Sequence, residues 1–228
     1  MLGLPRRTWR WSILLATAVT AGAIGVAACG GNGDLRPAQD TVEDSSEKIT
    51  IGISMYLLVD DLEDPDPTLS SNRTEEELIA ILAGMNEIWG QANVHLELEN
   101  LDTIVVDPDV LAQVAEGNIR AFFDRLGESI PFAATGPESS LISGFYTRWI
   151  GGSNGVTPLG SRSYMVMDEP SVFDHRVSGH EVGHILGLRH TLNDRGRLLY
   201  PGTNGMDLTP EEITLTRYVA MQLLKAQR

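Results

Sequence analysis

The stretch Ser178–His190, SGHEVGHILGLRH, constrains this chain more than any other, because it packs three of the five histidines into eleven residues. His180 and His184 are four apart, so on a helix they stand one above the other and can grip the same ion. Glu181 is rotated about 100° around the axis from His180, where its carboxylate can approach a water beside the ion without ligating it. For His190 to join the pair, the helix must end and the chain must turn back. Gly187 suits that end, since glycine enters the left-handed conformation without steric cost. Three neutral imidazoles around zinc leave a fourth position for water, the arrangement of a reactive site rather than a closed structural one. A carboxylate beside such water can accept its proton. The competing reading is a histidine-rich helix that binds nothing. His95, in a strand pattern, and His175, near a helix start, are read as structural or surface groups.

The chain surrounding this segment has 228 residues, 42% of them apolar and 21% charged, which fits one globular domain with a substantial core. Its first 28 residues stand apart. Arg6, Arg7 and Arg10 precede the apolar run WSILLATAVTAGAIGVAA, and small residues lead to VAAC at Val26–Cys29. That order is expected of a lipoprotein signal peptide over 1–28, with Cys29 as the lipidated residue. Residues 29–48 then form an acylated cysteine and a flexible acidic tether, and 49–228 the catalytic domain. Cys29 is the sole cysteine, so no disulfide can staple the fold. Without the three signal arginines, 14 basic side chains face 31 acidic ones, a formal charge of −17. Such a surface repels nucleic acid and anionic headgroups, so membrane attachment would rest on acyl chains. The localisation expected is extracytoplasmic, lipid-anchored at a bacterial membrane or cell surface, with a monomeric domain.

Periodicity supplies the elements. Ile49, Ile51, Ile53, Met55 and Leu57 alternate like one face of a strand. Thr74 with Glu77 forms a capping box for a helix over about 75–91, with Leu78, Leu82, Met85 and Trp89 inward. VHLELENLDTIVV reads as a strand pair or one bent strand. Asp107 and Pro108 open a second helix carrying Leu111, Ala115, Phe122 and Leu126 inward, which Gly127 stops. LISGFYTRWI and SRSYMVMD read as strands joined by the loop GGSNGVTPLG. Thr209, Pro210 and Glu212 start a C-terminal helix.

HEVGHILGLRH matches the HExxHxxGxxH signature at every defined position and so resembles the metzincin zinc peptidases. The resemblance implies that His180, His184 and His190 bind one catalytic zinc and that Glu181 is the general base of a metalloendopeptidase. It implies an α+β, metzincin-like zincin fold: a mixed twisted sheet with backing helices, an active-site helix and a C-terminal helix. Within that clan the chain looks most like matrixin-type bacterial proteins, through NEIWGQANVHLEL (86–98) and LLYPG (198–202). Metzincins place a methionine turn beneath the metal. Here Leu199 stands where that methionine would be, followed by Tyr200 and Pro201, while Met206 lies seven residues on. Leu199 is the favoured stand-in, with Tyr200 stacked under the histidines. Matrixins commonly hold a propeptide cysteine on the zinc; here the lone cysteine sits in the lipobox, and an acid such as Asp40 or Asp44 is the only tether group offered instead. Calcium is possible but unsupported, with Asp60, Asp61 and Asp168 as plausible ligands. The expected substrate is a protein or peptide. Two alternatives stay open: a catalytically inactive metal-binding or adhesion lipoprotein, and a zinc hydrolase of a non-peptide amide.

Overall fold

The computed structural model describes residues 47–126 and 142–226. The signal segment, Cys29, Asp40, Asp44, the tether as far as residue 46, and Gly127 lie outside the described residues. Along the described chain run β1 (Ile49–Val59), α1 (Glu75–Trp89), β2 (Val94–Val105), α2 (Pro108–Ala115) and α3 (Arg120–Phe123). After them come β3 (Ile142–Thr147), β4 (Gly155–Val156), β5 (Ser163–Met167), α4 (Asp174–Ile185) and α5 (Pro210–Lys225). The strands form one mixed sheet in the order β2-β1-β3-β5-β4. β1 pairs parallel with β2 and β3, β3 pairs parallel with β5, and only β4 runs antiparallel, at the edge beside β5. No helix among the described residues is long and apolar enough to cross a membrane.

The alternation in β1 accounts for only half of its burial. Ile51, Ile53 and Met55 join a core with α1, α4 and α5, while Tyr56 and Leu58 join a second core with Phe122, Phe145 and Met165. Both faces of the central strands are therefore covered, as parallel strands require when their crossover helices lie on the sheet. Segment 94–105 is one strand, not two. Its register against β1 slips between Ile53 and Ser54, leaving Glu99 as the extra residue of a bulge. Glu97, Glu99 and Asp102 on this outer strand also discourage pairing with another chain's edge.

Two expectations need correction. The helix from Pro108 does not continue to residue 126: α2 stops at Ala115, Gly117 takes a positive φ of 97°, and the four-residue α3 starts at Arg120. A left-handed glycine closes α2, and a Cβ at Gly117 would already touch the Gly151 backbone at 3.5 Å. The loop 151–160 also hides the short edge strand β4. Both capping boxes, Thr74 with Glu77 and Thr209 with Glu212, form as predicted.

The histidine-bearing helix α4 is anchored from two sides. On the sheet, the Tyr146 hydroxyl lies 3.1 Å from both the Tyr164 hydroxyl and the Ser178 Oγ, a buried polar contact that ties β3 and β5 to α4. Against α1, glycines permit close approach. A Cβ on Gly84 would lie 2.6 Å from Cβ and Cγ of His175, and one on Gly179 would lie 3.1 Å from Cδ1 of Ile88. His175 thus packs at the helix contact, its ring stacked on Phe173 at 5.7 Å, far from any ligand role. His95 is half-buried on outer strand β2.

Gly84→Ala tests that contact. Alanine favours helix by about 1 kcal/mol over glycine, yet the stem of His175 cannot swing away, so overpacking should lower stability by about 1–3 kcal/mol. Urea unfolding measures this, and a variant as stable as the parent would show that α1 and α4 do not meet there.

Candidate metal centre

α4 ends as its sequence requires. Gly187 has φ 89°, its N–H bonds the His184 carbonyl at 3.1 Å, and the Leu188 N–H bonds the Gly183 carbonyl at 2.8 Å. This pair of bonds is a Schellman closure, and it satisfies two carbonyls that the helix end would otherwise strand. The reversal carries the chain back so that His190 meets the two helical histidines. Nε2 of His190 lies 3.0 Å from Nε2 of His180 and 3.2 Å from Nε2 of His184. Candidate ligand atoms of all three lie within 4.8 Å of one another, and no other such group occurs among the described residues.

The far side of each helical ring is occupied. His180 Nδ1 lies 2.7 Å from the Leu198 carbonyl, and His184 Nδ1 lies 3.0 Å from the Leu188 carbonyl. A carbonyl only accepts, so both Nδ1 atoms carry the proton and both neutral rings present a bare Nε2 lone pair. A proton on His190 could face only one of them. Three nitrogen atoms around a tetrahedral cation at about 2.0–2.1 Å would stand about 3.3–3.4 Å apart, close to the observed separations. The donor set therefore fits a metal ion. Burial pushes the His180 pKa down to about 3, and burial also lowers that of His190, so both rings are neutral, the ligand form, near pH 7.

Glu181 is 5% exposed. Burial pushes its pKa up to about 7, against the lowering effects of a hydrogen bond from Thr157 and of the Arg176 charge. The Thr157 hydroxyl donates to Glu181 Oε2 at 2.8 Å and also lies 3.1 Å from the Glu181 carbonyl oxygen. Gly155 on β4 completes the enclosure, since a Cβ there would come within 2.9 Å of Glu181 Oε1. The carboxyl is thus gripped by the edge strand and its following loop.

Beneath the histidines, Leu199 is fully buried, with its Cδ2 3.0 Å from where a Gly183 Cβ would stand. The Leu199 carbonyl accepts from Thr191 N–H at 3.1 Å, drawing the segment after His190 under α4. Met206 packs at the rim of the same core, and its carbonyl accepts from Gln91 Nε2 at 2.9 Å. Pro201 is exposed in the turn that follows. Tyr200 departs from expectation. Its ring lies 5.7 Å from the Arg195 guanidinium, with no histidine against it among the described ring contacts. Leu199 is the residue that fills the space beneath the helix, and Tyr200 is half-buried beside it.

Sequence reasoning passed over Arg176. One turn before His180, it is 3% exposed and donates through Nη2 to the carbonyls of Leu198, at 2.6 Å, and Tyr200, and through Nε to that of Gly205 at 3.3 Å. Leu198 O thereby binds both Arg176 and His180. An arginine four residues before a histidine, on the same face, was the available signal; Thr157 offered none, being 24 positions from its partner.

The acids considered for calcium are engaged elsewhere. Asp168 accepts from Ser71 Oγ and Asn72 N–H, both at 2.7 Å, and faces Arg73 and Arg148 at 3.6 and 3.7 Å. Asp60 accepts from Ser70 Oγ and Asp66 N–H, and Asp61 from the N–H groups of Glu63 and Asp64.

The Thr157 contact makes a pH prediction for the metal-free chain. Between pH 4.5 and about 7 the folded chain keeps a Glu181 proton that the unfolded chain has released, so this group stabilises the fold at low pH and loses that contribution as pH rises through 7. Thr157→Val removes a bond that favours the carboxylate, so the Glu181 titration should move higher still, read from its side-chain carboxyl 13C shift. A midpoint unchanged by the substitution would exclude the hydroxyl as a partner.

No protein-family model matches the chain, and no curated protein does. Two solved structures resemble it. One is archaemetzincin from Methanopyrus kandleri, at 13% identity and a TM-score of 0.52, over 75% of this chain and 96% of that one. The other is a chain in a structure of a chaperone–substrate complex, at 13% identity and a TM-score of 0.53, over 77% of this chain and 34% of that one. The present chain spans about a third of that second chain's length. At such identities the likeness establishes the fold: this chain and archaemetzincin share one.

Proposed function

We propose that the chain is a zinc-dependent endopeptidase of the metzincin type, in which His180, His184 and His190 hold the ion and Glu181 moves the proton. One observation carries this reading: three imidazole nitrogens converge at 3.0 and 3.2 Å, two of them with lone pairs turned inward, and the helix that supplies two of them also carries the buried Glu181. The shared fold with archaemetzincin supports it. Neutral nitrogen ligands and a three-residue set favour zinc with an open position.

Bound there, zinc supplies Lewis acidity to a water and to the carbonyl that the water attacks. The chain's residues do the rest. Glu181 takes a proton as the water oxygen adds to the carbonyl carbon. It then delivers that proton to the departing nitrogen as the C–N bond breaks, leaving an acid and an amine. A pKa near 7 suits a group that must both accept and release a proton at neutral pH. Thr157 holds one carboxyl oxygen at 2.8 Å and so limits how the Glu181 side chain can turn. Arg176 and the Leu198 carbonyl keep the His180 ring in one tautomer, as outer partners of metal-binding histidines do. Leu199 forms the apolar floor.

The rest of the proposal stands on sequence: export by the 1–28 signal, lipid on Cys29, a tether to residue 48, and a monomeric extracytoplasmic domain acting on proteins or peptides. The acidic surface disfavours nucleic acid.

Glu181→Gln should retain one zinc per chain and lower kcat/KM for a peptide by about 10²–10⁴-fold. Equal cleavage by parent and variant would defeat the mechanism. His190→Ala should weaken zinc binding, as read by competition with a chelator; unchanged affinity would reduce the ligand set to two. Zinc uptake without cleavage of any peptide would select the inactive-binder alternative, and cleavage confined to non-peptide amides the other. For the anchor, labelled fatty acid should attach to the parent in cells and be lost in Cys29→Ser; label retained by that variant would remove Cys29 as the site.

A further inference from the structure

His184 and His190 open onto a cleft of about 660 Å³ whose other walls are the 157–162 segment, the 187–189 turn and Leu223. Pro158, Ile185, Leu188 and Leu223 give it apolar sides. Its charge is contrary to that of the chain. The sequence holds 31 acidic against 17 basic residues, yet the cleft is lined by Arg162 and Arg189 and by no aspartate or glutamate. Chance placement on a surface so acidic would favour carboxylates.

These two arginines also lack the partners that most others have. Arg73, Arg148 and Arg197 sit in ion pairs, and Arg176 and Arg217 donate to backbone carbonyls. Arg162 and Arg189 are exposed and make no ion pair or side-chain hydrogen bond among the described residues. Each reaches the cleft from a different segment: Arg162 leads into β5, while Arg189 lies between the helix-closing turn and His190. Two guanidinium groups lining a partly apolar slot suit a group with a short aliphatic stem and an anionic head.

We infer that this cleft receives a carboxylate-bearing part of the substrate, so that peptides presenting glutamate or aspartate beside the cut bond are the preferred class. The inference rests on the peptidase reading for its place next to the ion; the charge preference is a property of the cleft itself. A side-chain carboxylate and a free C-terminal carboxylate share this chemistry, and the experiment separates them.

The full-length Glu181→Gln chain, loaded with zinc, is titrated with fluorescent peptides of one frame in which Glu, Gln or Lys occupies each position in turn. All carry an amidated C-terminus, and the Gln peptide is also made with a free one. At one position Glu should bind roughly 5- to 30-fold tighter than Gln, with Lys weakest. The advantage should shrink as salt rises. It should vanish in Arg162→Ala/Arg189→Ala and turn toward Lys in Arg162→Glu/Arg189→Glu. An advantage confined to the free C-terminus would assign the cleft to a chain end. Equal binding of Glu, Gln and Lys overturns the inference, and so does a Glu preference that survives loss of both arginines. Cleavage of a mixed peptide pool by the parent chain keeps the two readings distinct. Chelator-sensitive cleavage without acidic preference leaves the peptidase standing and removes this inference. Absence of cleavage counts against the peptidase, while the binding series still reports on the cleft.

Discussion

Three imidazoles can share one ion only if the helix carrying two of them stops before it turns the third away. Another turn of α4 would carry residues 187–190 outward along the axis, beyond reach of His180. The Gly187 reversal prevents this, and it does two jobs at once. It returns the chain toward the helix, and it sets the Leu188 carbonyl 3.0 Å from His184 Nδ1. The element that ends the helix also fixes the His184 tautomer. Few side chains other than glycine adopt φ 89° without strain, so the geometry rests on that residue.

The His180 imidazole is fixed by a longer route. His180 needs the Leu198 carbonyl, and that carbonyl belongs to a loop returning from ten or more residues away. Arg176 holds the loop in place by binding the carbonyls of Leu198, Tyr200 and Gly205. A guanidinium buried to 3% exposure is costly unless its donors are met, and here main-chain oxygens meet them. Removing it would strand both the loop and the imidazole. The floor follows from the same closure, since Leu199 is drawn under Gly183 by its neighbours' bonds.

The sheet explains why the carboxyl is enclosed. β4 is only two residues long and contributes little to the core, yet its antiparallel pairing with β5 brings Gly155 and Thr157 against Glu181. The parallel strands behind it are buried on both faces, which gives α4 a rigid surface on which to sit. α1 supports its other side through the contacts at Gly84 and Gly179. Chemistry at the edge thus rests on packing at the centre.

Much of the candidate site was legible because a helix has a fixed period. The four-residue step from His180 to His184, and Gly187 before His190, state their own geometry through 3.6 residues per turn and one left-handed step. The capping boxes were readable for the same reason: donor and acceptor lie three residues apart. Where local rules failed, a distant partner had intervened. α2 broke at Gly117, where the Gly151 loop packs against it, and the Tyr200 ring faces Arg195 while Leu199 fills the floor. The sequence by itself determined the histidine spacing, the capped helix starts and the alternation of the strands. Only the tertiary structure decided that Thr157 would hold Glu181, that Leu198 would orient His180, and that two unpaired arginines would line one cleft. These contacts join residues about 18 to 27 positions apart, where no backbone period relates one partner to the other and only the closure of loops brings them together.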